Sequence, residues 1–373
     1  MGVYATNLTE ELVNLGHEVH VLAPLFANSK KYETVNGVTI HRINIINKDY
    51  LQVLSFWLNL SKQFREINNQ VGGFDVVNGN QLTDLLLSST GVPHVVTMHS
   101  LSLTNAEAEN LSFLKRLMSR GENSLILELI EKSMVNNADI VIANSQYMKR
   151  SMLRIYGLPE ARIQVIYPGI TINPMSSIIL DKEKTLRHSL NLGNNFVILF
   201  VGRLVLRKGL HFLLSAFGIL KKRLPNVSLV VIGDGPERQR YLNQVKSMSL
   251  EKDVIFTGFV DKQTIGKIYS LSDIVAIPSL NEPFGIVVLE AMLFRKPIVG
   301  SNSGAFPEIL QNNVNGQLID PKDAFKFADA LEKYLKNQDL SEKIGRLNRE
   351  KVIKEFSWTK TAERTIEVYK MVV

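Results

Sequence analysis

Short apolar runs separated by amphipathic stretches recur along the whole chain, in two series, and this pattern limits the possible folds more than any other feature. In the first half the runs are "EVHVLAP" (18–24), "GVTIHRINI" (37–45), "FDVVNG" (74–79), "PHVVTMHS" (93–100), "ADIVIANS" (138–145) and "IQVIYPG" (163–169). In the second half they are "FVILFVGR" (196–203), "VSLVVIGDG" (227–235), "DVIFTGF" (253–259), "DIVAIPS" (273–279) and "KPIVGSN" (296–302). Continuous runs of this kind mark parallel strands covered on both faces. Helical patterns lie between them, at 80–90, 105–135, 209–224, 263–271 and 285–295. Strand–helix alternation in two series predicts an α/β protein of two doubly wound domains. A length of 373 residues suits two such cores. The weakly patterned stretch 170–194, with Pro174, Ser176 and Ser177, is the expected linker. The predicted boundaries are therefore 1–170, a linker at 171–194, and 195–358.

Composition removes several function classes. The chain has no cysteine, which excludes disulfides, zinc–thiolate sites and thiol nucleophiles. No apolar run approaches the ~20 residues that span a bilayer. Glu10 and Glu11 interrupt any signal-peptide pattern. These features predict a cytoplasmic protein and leave peripheral contact with the inner face of a membrane open. The formal charge of +7 is unevenly spread, with nine basic and two acidic residues within 203–246. Such a local field suits an anionic small molecule or membrane better than a long nucleic acid, and no nucleic-acid partner is expected. Lys221, Lys222 and Arg223 read as a solvated helix face.

The first residues form an unusual opening. "VYATNLTEELVNLG" (3–16) predicts a helix with Leu8, Leu12 and Leu15 on one face, and it feeds straight into the strand at 18–24. In a doubly wound domain a strand, usually a central one, precedes such a helix.

Ligands of such sheets bind beyond the carboxyl ends of strands. Residues that follow predicted strands are therefore the informative ones: His99, Ser145, Pro168, Gly169, Arg203, Asp234, Phe259 and Glu282. In "FVGRLVLRKG" (200–209), Arg203 and Lys208 follow Gly202 and precede a helix, where two cations and a helix N-terminus could neutralise a diphosphate. A solvated loop is the alternative. The loop is not a Walker A motif, because Arg207 and Gly209 replace the second glycine and the Ser/Thr. "VVIGDGPER" (230–238) has Arg238 in place of the third dinucleotide glycine, and reads as a tight turn opening a helix at Pro236. In "SLNEPFGIVVLEAMLFRKP" (279–297), Pro283 and Gly285 turn the chain into a helix whose first amides, at Gly285, Ile286 and Val287, lack intrahelical partners. Glu290 lies one turn past Ile286 in an otherwise oily segment. A buried unpaired charge is costly, so Glu290 needs a partner, either a nearby cation or a ligand diol. His99 is either a satisfied structural histidine or a hydrogen-bonding group for a sugar hydroxyl or leaving phosphate. The sequence contains no Asp-x-Asp pair and no His/Glu cluster with metal spacing, so no dedicated metal site is expected.

Taken in order, "NEPFGIVVLEAM", "VGRLVLRKGL", "VVIGDGPER", "VIFTGFV", "SNSGAFPEIL" and "VNGQLIDP" resemble the C-terminal motifs of retaining glycosyltransferases of family 4. "GVYATNLTEELVNLGHEVHVL", "PHVVTMHS" and "ADIVIANSQYMKRSM" extend the resemblance through the first half. The resemblance implies the GT-B fold: two facing Rossmann-like domains with an interdomain cleft, and a last helix (359–373) that returns to the N-terminal domain. It also implies residue roles. Glu290 would bind the ribose hydroxyls of a nucleotide sugar, and Arg203 and Lys208, after Gly202, would hold its diphosphate. Glu282 and the amides of Phe284, Gly285 and Ile286 would grip the donor sugar, with Val287 at the phosphate. The backbone near Phe259 would face the base, and His99 would reach the donor sugar. The implied reaction is hexose transfer to an acceptor hydroxyl with retention of configuration and without a metal or other cofactor. UDP-sugars are the favoured donors, GDP-mannose next, and the acceptor would be a glycolipid, lipid-linked glycan or polysaccharide. Family members begin with a strand and a Gly-Gly loop, of which Met1-Gly2 resembles the end, so Gly2 would lie on the acceptor side. The alternatives are a non-catalytic protein that keeps the donor pocket and, after it, a sugar-nucleotide epimerase.

Overall fold

The computed structural model describes residues 2–26, 29–45, 49–81, 90–102, 124–172 and 180–373; at 49–55, 57–58, 124–127 and 180–184 it describes the backbone alone. In the first half the elements are α1 (Gly2–Asn14), β1 (His20–Pro24), β2 (Tyr32–Val35), β3 (Val38–Ile43), α2 (Asp49–Gln70), β4 (Val77–Asn80), β5 (His94–Met98), α3 (Ser124–Asn137), β6 (Ile140–Ala143), α4 (Gln146–Tyr156) and β7 (Ile163–Val165). The next elements are α5 (Leu180–Ser189), β8 (Phe196–Val201), α6 (Leu210–Arg223), β9 (Val227–Ile232), α7 (Arg238–Ser247), β10 (Val254–Gly258), α8 (Lys262–Leu271) and β11 (Ile274–Ile277). The chain ends with α9 (Ile286–Leu293), β12 (Ile298–Ser301), α10 (Phe306–Ile309), β13 (Gln317–Ile319), α11 (Ala324–Lys336), α12 (Gln338–Glu355) and α13 (Trp358–Tyr369).

Two compact units result. Unit one contains Met1–Ala106, Leu111–Gly169 and Trp358–Val373, and unit two is essentially Ile170–Ser357. Unit two carries one six-stranded parallel sheet, in the order β10-β9-β8-β11-β12-β13. β8 is central, and Phe200, Ile198, Leu229 and Val231 pack beneath Leu213, Phe217 and Leu331 of the covering helices. The sheet order runs outward in both directions from β8 and β11, which makes the space beyond their carboxyl ends a topological switch point.

Unit one is built from two sheets. β1 pairs with β3 in parallel and β2 with β3 in antiparallel; β4, β5, β6 and β7 form a separate parallel sheet. Leu22 of β1 and Val77 of β4 share an apolar cluster with Phe56, Phe64 and Phe74. α1 packs Tyr4, Leu8 and Leu12 against Trp358 and Ala362 of α13. Leu15, expected on that face, is exposed because the helix has ended at Asn14. Gly2 is the first helical residue and is exposed, so it is not loop.

Other expectations are also revised. The segment expected as a linker contains α5, a helix too polar (LDKEKTLRHS) to show an apolar stripe; it belongs to unit two. β2 and β13 add two strands not expected from the sequence. β2 turns into β3 through Asn36-Gly37, both at positive φ, the hairpin signature that "ETVNGVTI" carries. α7 starts at Arg238, two residues beyond the turn expected at Pro236. The helical pattern at 80–90 falls largely outside the described residues, as does much of 105–135, of which α3 is the described part.

Candidate active site

In unit two, the loops after β8 and β11 meet at the switch point. The turn after β9 also comes close to the loop after β8, which Gly233 and Gly235 make possible. A Cβ on Gly233, at φ +127, would lie 2.1 Å from the Gly202 carbonyl oxygen, and one on Gly235 would lie 2.5 Å from the Leu204 carbonyl. The Gly-x-Gly of "VVIGDGPER" therefore serves close backbone approach to residues 202–204, with Leu204 N–H donating to the Asp234 carbonyl. Past that contact, Arg203 is exposed and has no acidic partner among the described residues. Lys208 closes a single 3₁₀ turn, and Gly209 follows at φ +71 to open α6. Its Nζ donates to Glu282 Oε2 at 2.5 Å, with both side chains mostly buried. This ion pair joins the loop after β8 to the loop after β11. Glu282 takes only one of the three ammonium donors.

The turn after Glu282 is held from behind. Ala305 N–H donates to the Glu282 carbonyl at 2.9 Å, and Ser303 Oγ donates to the Leu280 carbonyl at 2.6 Å. Gly304 sits at φ +63, with its missing Cβ 2.5 Å from the Glu282 carbonyl oxygen. The stretch "SNSGAFPEIL" is thus a brace for "NEPFG", a role the sequence alone did not assign. Phe284 is buried, with its ring centroid 6.1 Å from that of Phe356. Gly285, at φ +92, is the N-cap of α9, and Val288 N–H donates to its carbonyl as the first intrahelical bond. The amides of Ile286 and Val287 thus stand at the helix start, where the macrodipole favours an anion.

Glu290 lies one turn further, on the face of the exposed Ile286. Its protein hydrogen-bond partner is not the cation weighed from the sequence but a tyrosine. The Tyr269 hydroxyl donates to Glu290 Oε2 at 2.9 Å, and Oε1 accepts from no other group among the described residues. Burial pushes this carboxyl above its ordinary value, while the Tyr269 hydrogen bond and the Lys262 charge pull it down. Tyr269 is fully buried and stacks on Phe294 at 5.1 Å, which fixes the hydroxyl beneath the carboxylate. Its place at the inner end of α8 gave no sequence signal. Phe259, just past β10, is 81% exposed.

In unit one, His99 follows β5. Its Nε2 lies 3.2 Å from Asn80 Oδ1, its ring packs edge-on against Tyr4 at 4.6 Å, and its carbonyl accepts from Asn144 Nδ2 at 3.0 Å. Burial lowers the imidazole pKa to about 4, so the ring is neutral near pH 7. A neutral imidazole can donate and accept at once, as a sugar hydroxyl requires.

Two family models cover the chain almost end to end. One, described as Glycosyltransferase Family 4, matches residues 1–173; the other, Glycosyl transferases group 1, matches residues 181–351. The chain is 30% identical to a D-inositol 3-phosphate glycosyltransferase of Corynebacterium jeikeium, over 99% of this chain and 91% of that protein. Among solved structures it resembles a sucrose-phosphate synthase from Thermosynechococcus elongatus, with TM-score 0.80, 22% identity and coverage of 99% and 92%. It also resembles Anabaena HepE in complex with UDP and glucose, with TM-score 0.77, 22% identity and coverage of 99% and 96%. The chain belongs to the glycosyltransferases of family 4 and has their GT-B fold. It is by this membership a glycosyltransferase. Among the described residues, no helix is long and apolar enough to cross a membrane.

Proposed function

We propose that this protein transfers a hexose from a nucleoside-diphosphate sugar to an acceptor hydroxyl, with retention of configuration and without a metal. The observation that carries this reading is the Lys208–Glu282 ion pair at the switch point, beside the start of α9. It sets a cation with spare donors next to a carboxylate and a helix N-terminus, the combination that binds a phosphate on one side and a sugar on the other. Arg203 and Lys208 stabilise the charge that develops on the leaving diphosphate, usually the largest catalytic term. Glu282 and the amides of Phe284, Gly285 and Ile286 hold the hexose, and Val287 faces the phosphate. The free oxygen of Glu290 takes the ribose hydroxyls, and the backbone near Phe259 receives the base. His99 serves as a neutral hydrogen-bonding group for the donor sugar. The leaving phosphate accepts the acceptor's proton, so no second carboxylate acts as nucleophile, unlike in a retaining glycosidase.

UDP-sugars are the favoured donors, in keeping with the UDP named with HepE, and GDP-mannose is second. A glycolipid, lipid-linked glycan or polysaccharide is the proposed acceptor, met in the cytoplasm or at the membrane's inner face. The phosphorylated polyol and sugar in the names of two relatives supply a further acceptor class to screen. Calorimetric titration with UDP-, GDP- and ADP-sugars tests the reading. Saturable binding of one, lost in Glu290→Ala, supports it; silence with all of them rejects it. NMR of the product reports the anomeric outcome, and an EDTA-insensitive rate reports metal independence.

A second reading, a nucleotide-sugar-binding protein without turnover, draws on β1 and β4 of unit one, each of which pairs with a single strand among the described residues. It predicts binding without release of the nucleotide in the presence of any acceptor.

A further inference from the structure

We propose that Glu131 is a positioning residue that sets the His99 imidazole through a buried carboxylate clamp on the segment His99–Ser102. This rests on the role given to His99 above. Glu131 lies on α3 and has no exposed surface. It accepts three hydrogen bonds: from Ser102 N–H to Oε2 at 3.1 Å, from Ser102 Oγ to Oε1 at 2.9 Å and from Tyr156 Oη to Oε2 at 2.7 Å. Two of these hold the backbone and side chain of one residue, three positions past His99. The third anchors the carboxylate to the last residue of α4. Between the two ends, Leu101 is fully buried against Met134, Val135 and Met148. The segment is thus fixed at Ser102 by the clamp, at Leu101 by packing, and at His99 by Asn144 and Asn80.

A carboxylate is a costly way to make these bonds. Burial raises its pKa, against the hydrogen bonds from Tyr156 and Ser102 that lower it. The other pins of the segment are neutral side chains from neighbouring strand ends, Asn80, Gln81 and Asn144, which any parallel sheet supplies. Glu131 instead reaches in from a covering helix and holds Ser102, beyond the end of β5. A carboxylate also accepts from a backbone N–H and two hydroxyls at once, which no neutral side chain of similar size does without supplying a hydrogen of its own.

That chemistry yields opposite predictions for two substitutions. In Glu131→Gln the amide oxygen takes Ser102 N–H and the Tyr156 hydroxyl, and the amide N–H donates to Ser102 Oγ, which can accept. In Glu131→Leu all three donors lose their acceptor. The imidazole of His99 is followed by ¹⁵N-histidine NMR titration, with its signals assigned from His99→Asn. We expect the His99 pKa to rise by at least one unit toward the ordinary value in Glu131→Leu, and to stay within a few tenths in Glu131→Gln. In parallel, kcat for UDP-sugar turnover falls about 10- to 100-fold in Glu131→Leu while KM for the nucleotide sugar changes less than about threefold, and Glu131→Gln restores both. Should Glu131→Leu fail to fold, Ser102→Ala/Tyr156→Phe removes two donors and must shift His99 in the same direction. An unchanged His99 titration in the folded variants overturns the proposal, as does equal loss in Gln and Leu. If His99→Asn leaves turnover intact, the catalytic reading of His99 fails, and the titration alone decides the clamp.

Discussion

The two units use the same strand–helix alternation and reach different degrees of closure. In unit two, β8 leads into α6 and then β9, and β8 has a paired strand on each side. Its four inner residues are buried. In unit one, α1 leads into β1 as α6 leads into β9, yet among the described residues no strand takes the place that β8 holds. Among the described residues β1 pairs only with β3, and β4 only with β5, although Leu22 and Val77 belong to one apolar cluster. All five residues of β1 and three of the four in β4 are only partly buried, whereas β5 and β6 are fully buried. Among the described residues, β4 is thus an edge strand of the sheet that leads to His99, and β1 is an edge strand of the other sheet. The comparison teaches that the central strands of unit two are held by strands on both sides, while the described part of unit one adds side-chain hydrogen bonds at the ends of its strands, such as those of Asn80 and Asn144 to His99.

The largest expected effect tests the complete unit. Lys208→Ala removes the cation at the switch point and leaves Glu282 without its partner. Because donors aimed at developing charge carry much of a catalytic rate, kcat/KM for nucleotide-sugar turnover is expected to fall roughly 10²–10³-fold. A melting curve checks that the fold survives. Activity above about a tenth of wild type would remove unit two's switch point from the chemistry.

Hydrogen exchange addresses the comparison itself. Amides of β8 are expected to exchange only through global opening of unit two. Amides on the open edges of β1 and β4 need no such event, and are expected to exchange roughly a hundredfold faster than those of β5 and β6 within the same unit. Equal protection across β1, β4, β5 and β6 would mean that the two sheets behave as one closed sheet.

What the sequence disclosed follows the same division. Unit two was legible because its strands are continuous apolar runs and Gly285 marks the turn into α9, whereas the close approach of Gly233 to Gly202 was read only as a tight turn. Arg203, Lys208, Glu282 and Glu290 were singled out from their places after strands or on an apolar helix. What escaped were partners set by tertiary packing. Tyr269 reaches Glu290 from a helix 21 residues earlier, and Ser303 and Gly304 brace Glu282 from beyond β12. Neither relation has a local period or spacing to betray it. In unit one the separation into two sheets had no local signal. The β2–β3 hairpin was written in Asn36-Gly37 but masked by the expectation of an all-parallel sheet.

His99 provides the next smaller effect, through pH. Its folded pKa of about 4 lies below the ordinary 6.5, so between those values the unfolded chain binds more protons. Stability from this group is therefore complete above pH 7 and is lost as pH falls through 6.5 toward 4, by about 2 kcal/mol between pH 7.5 and 5. Glu131 and Glu290 have raised pKa values and act with the opposite sign, gaining as pH falls. The clean quantity is thus the difference between wild type and His99→Asn in urea denaturation at the two pH values. If that difference is independent of pH, the imidazole is not held neutral by burial, and its proposed role weakens with it.

The smallest effect sharpens the account of unit two. Tyr269→Phe keeps the ring stacked on Phe294 and removes only the hydroxyl that reaches Glu290. Glu290 then loses its one protein donor, and its carboxylate is free to swing from the orientation that the ribose would meet. One hydrogen bond contributes about 1 kcal/mol net, so the dissociation constant for the nucleotide sugar is expected to rise about fivefold. Glu290→Ala removes the acceptor itself and must weaken binding considerably more. The ratio between the two variants is what matters. If Tyr269→Phe equals Glu290→Ala, the tyrosine rather than the carboxylate organises the site. If Tyr269→Phe binds like wild type, the ribose hydroxyls alone satisfy Glu290, and the buried tyrosine serves only to support the empty pocket.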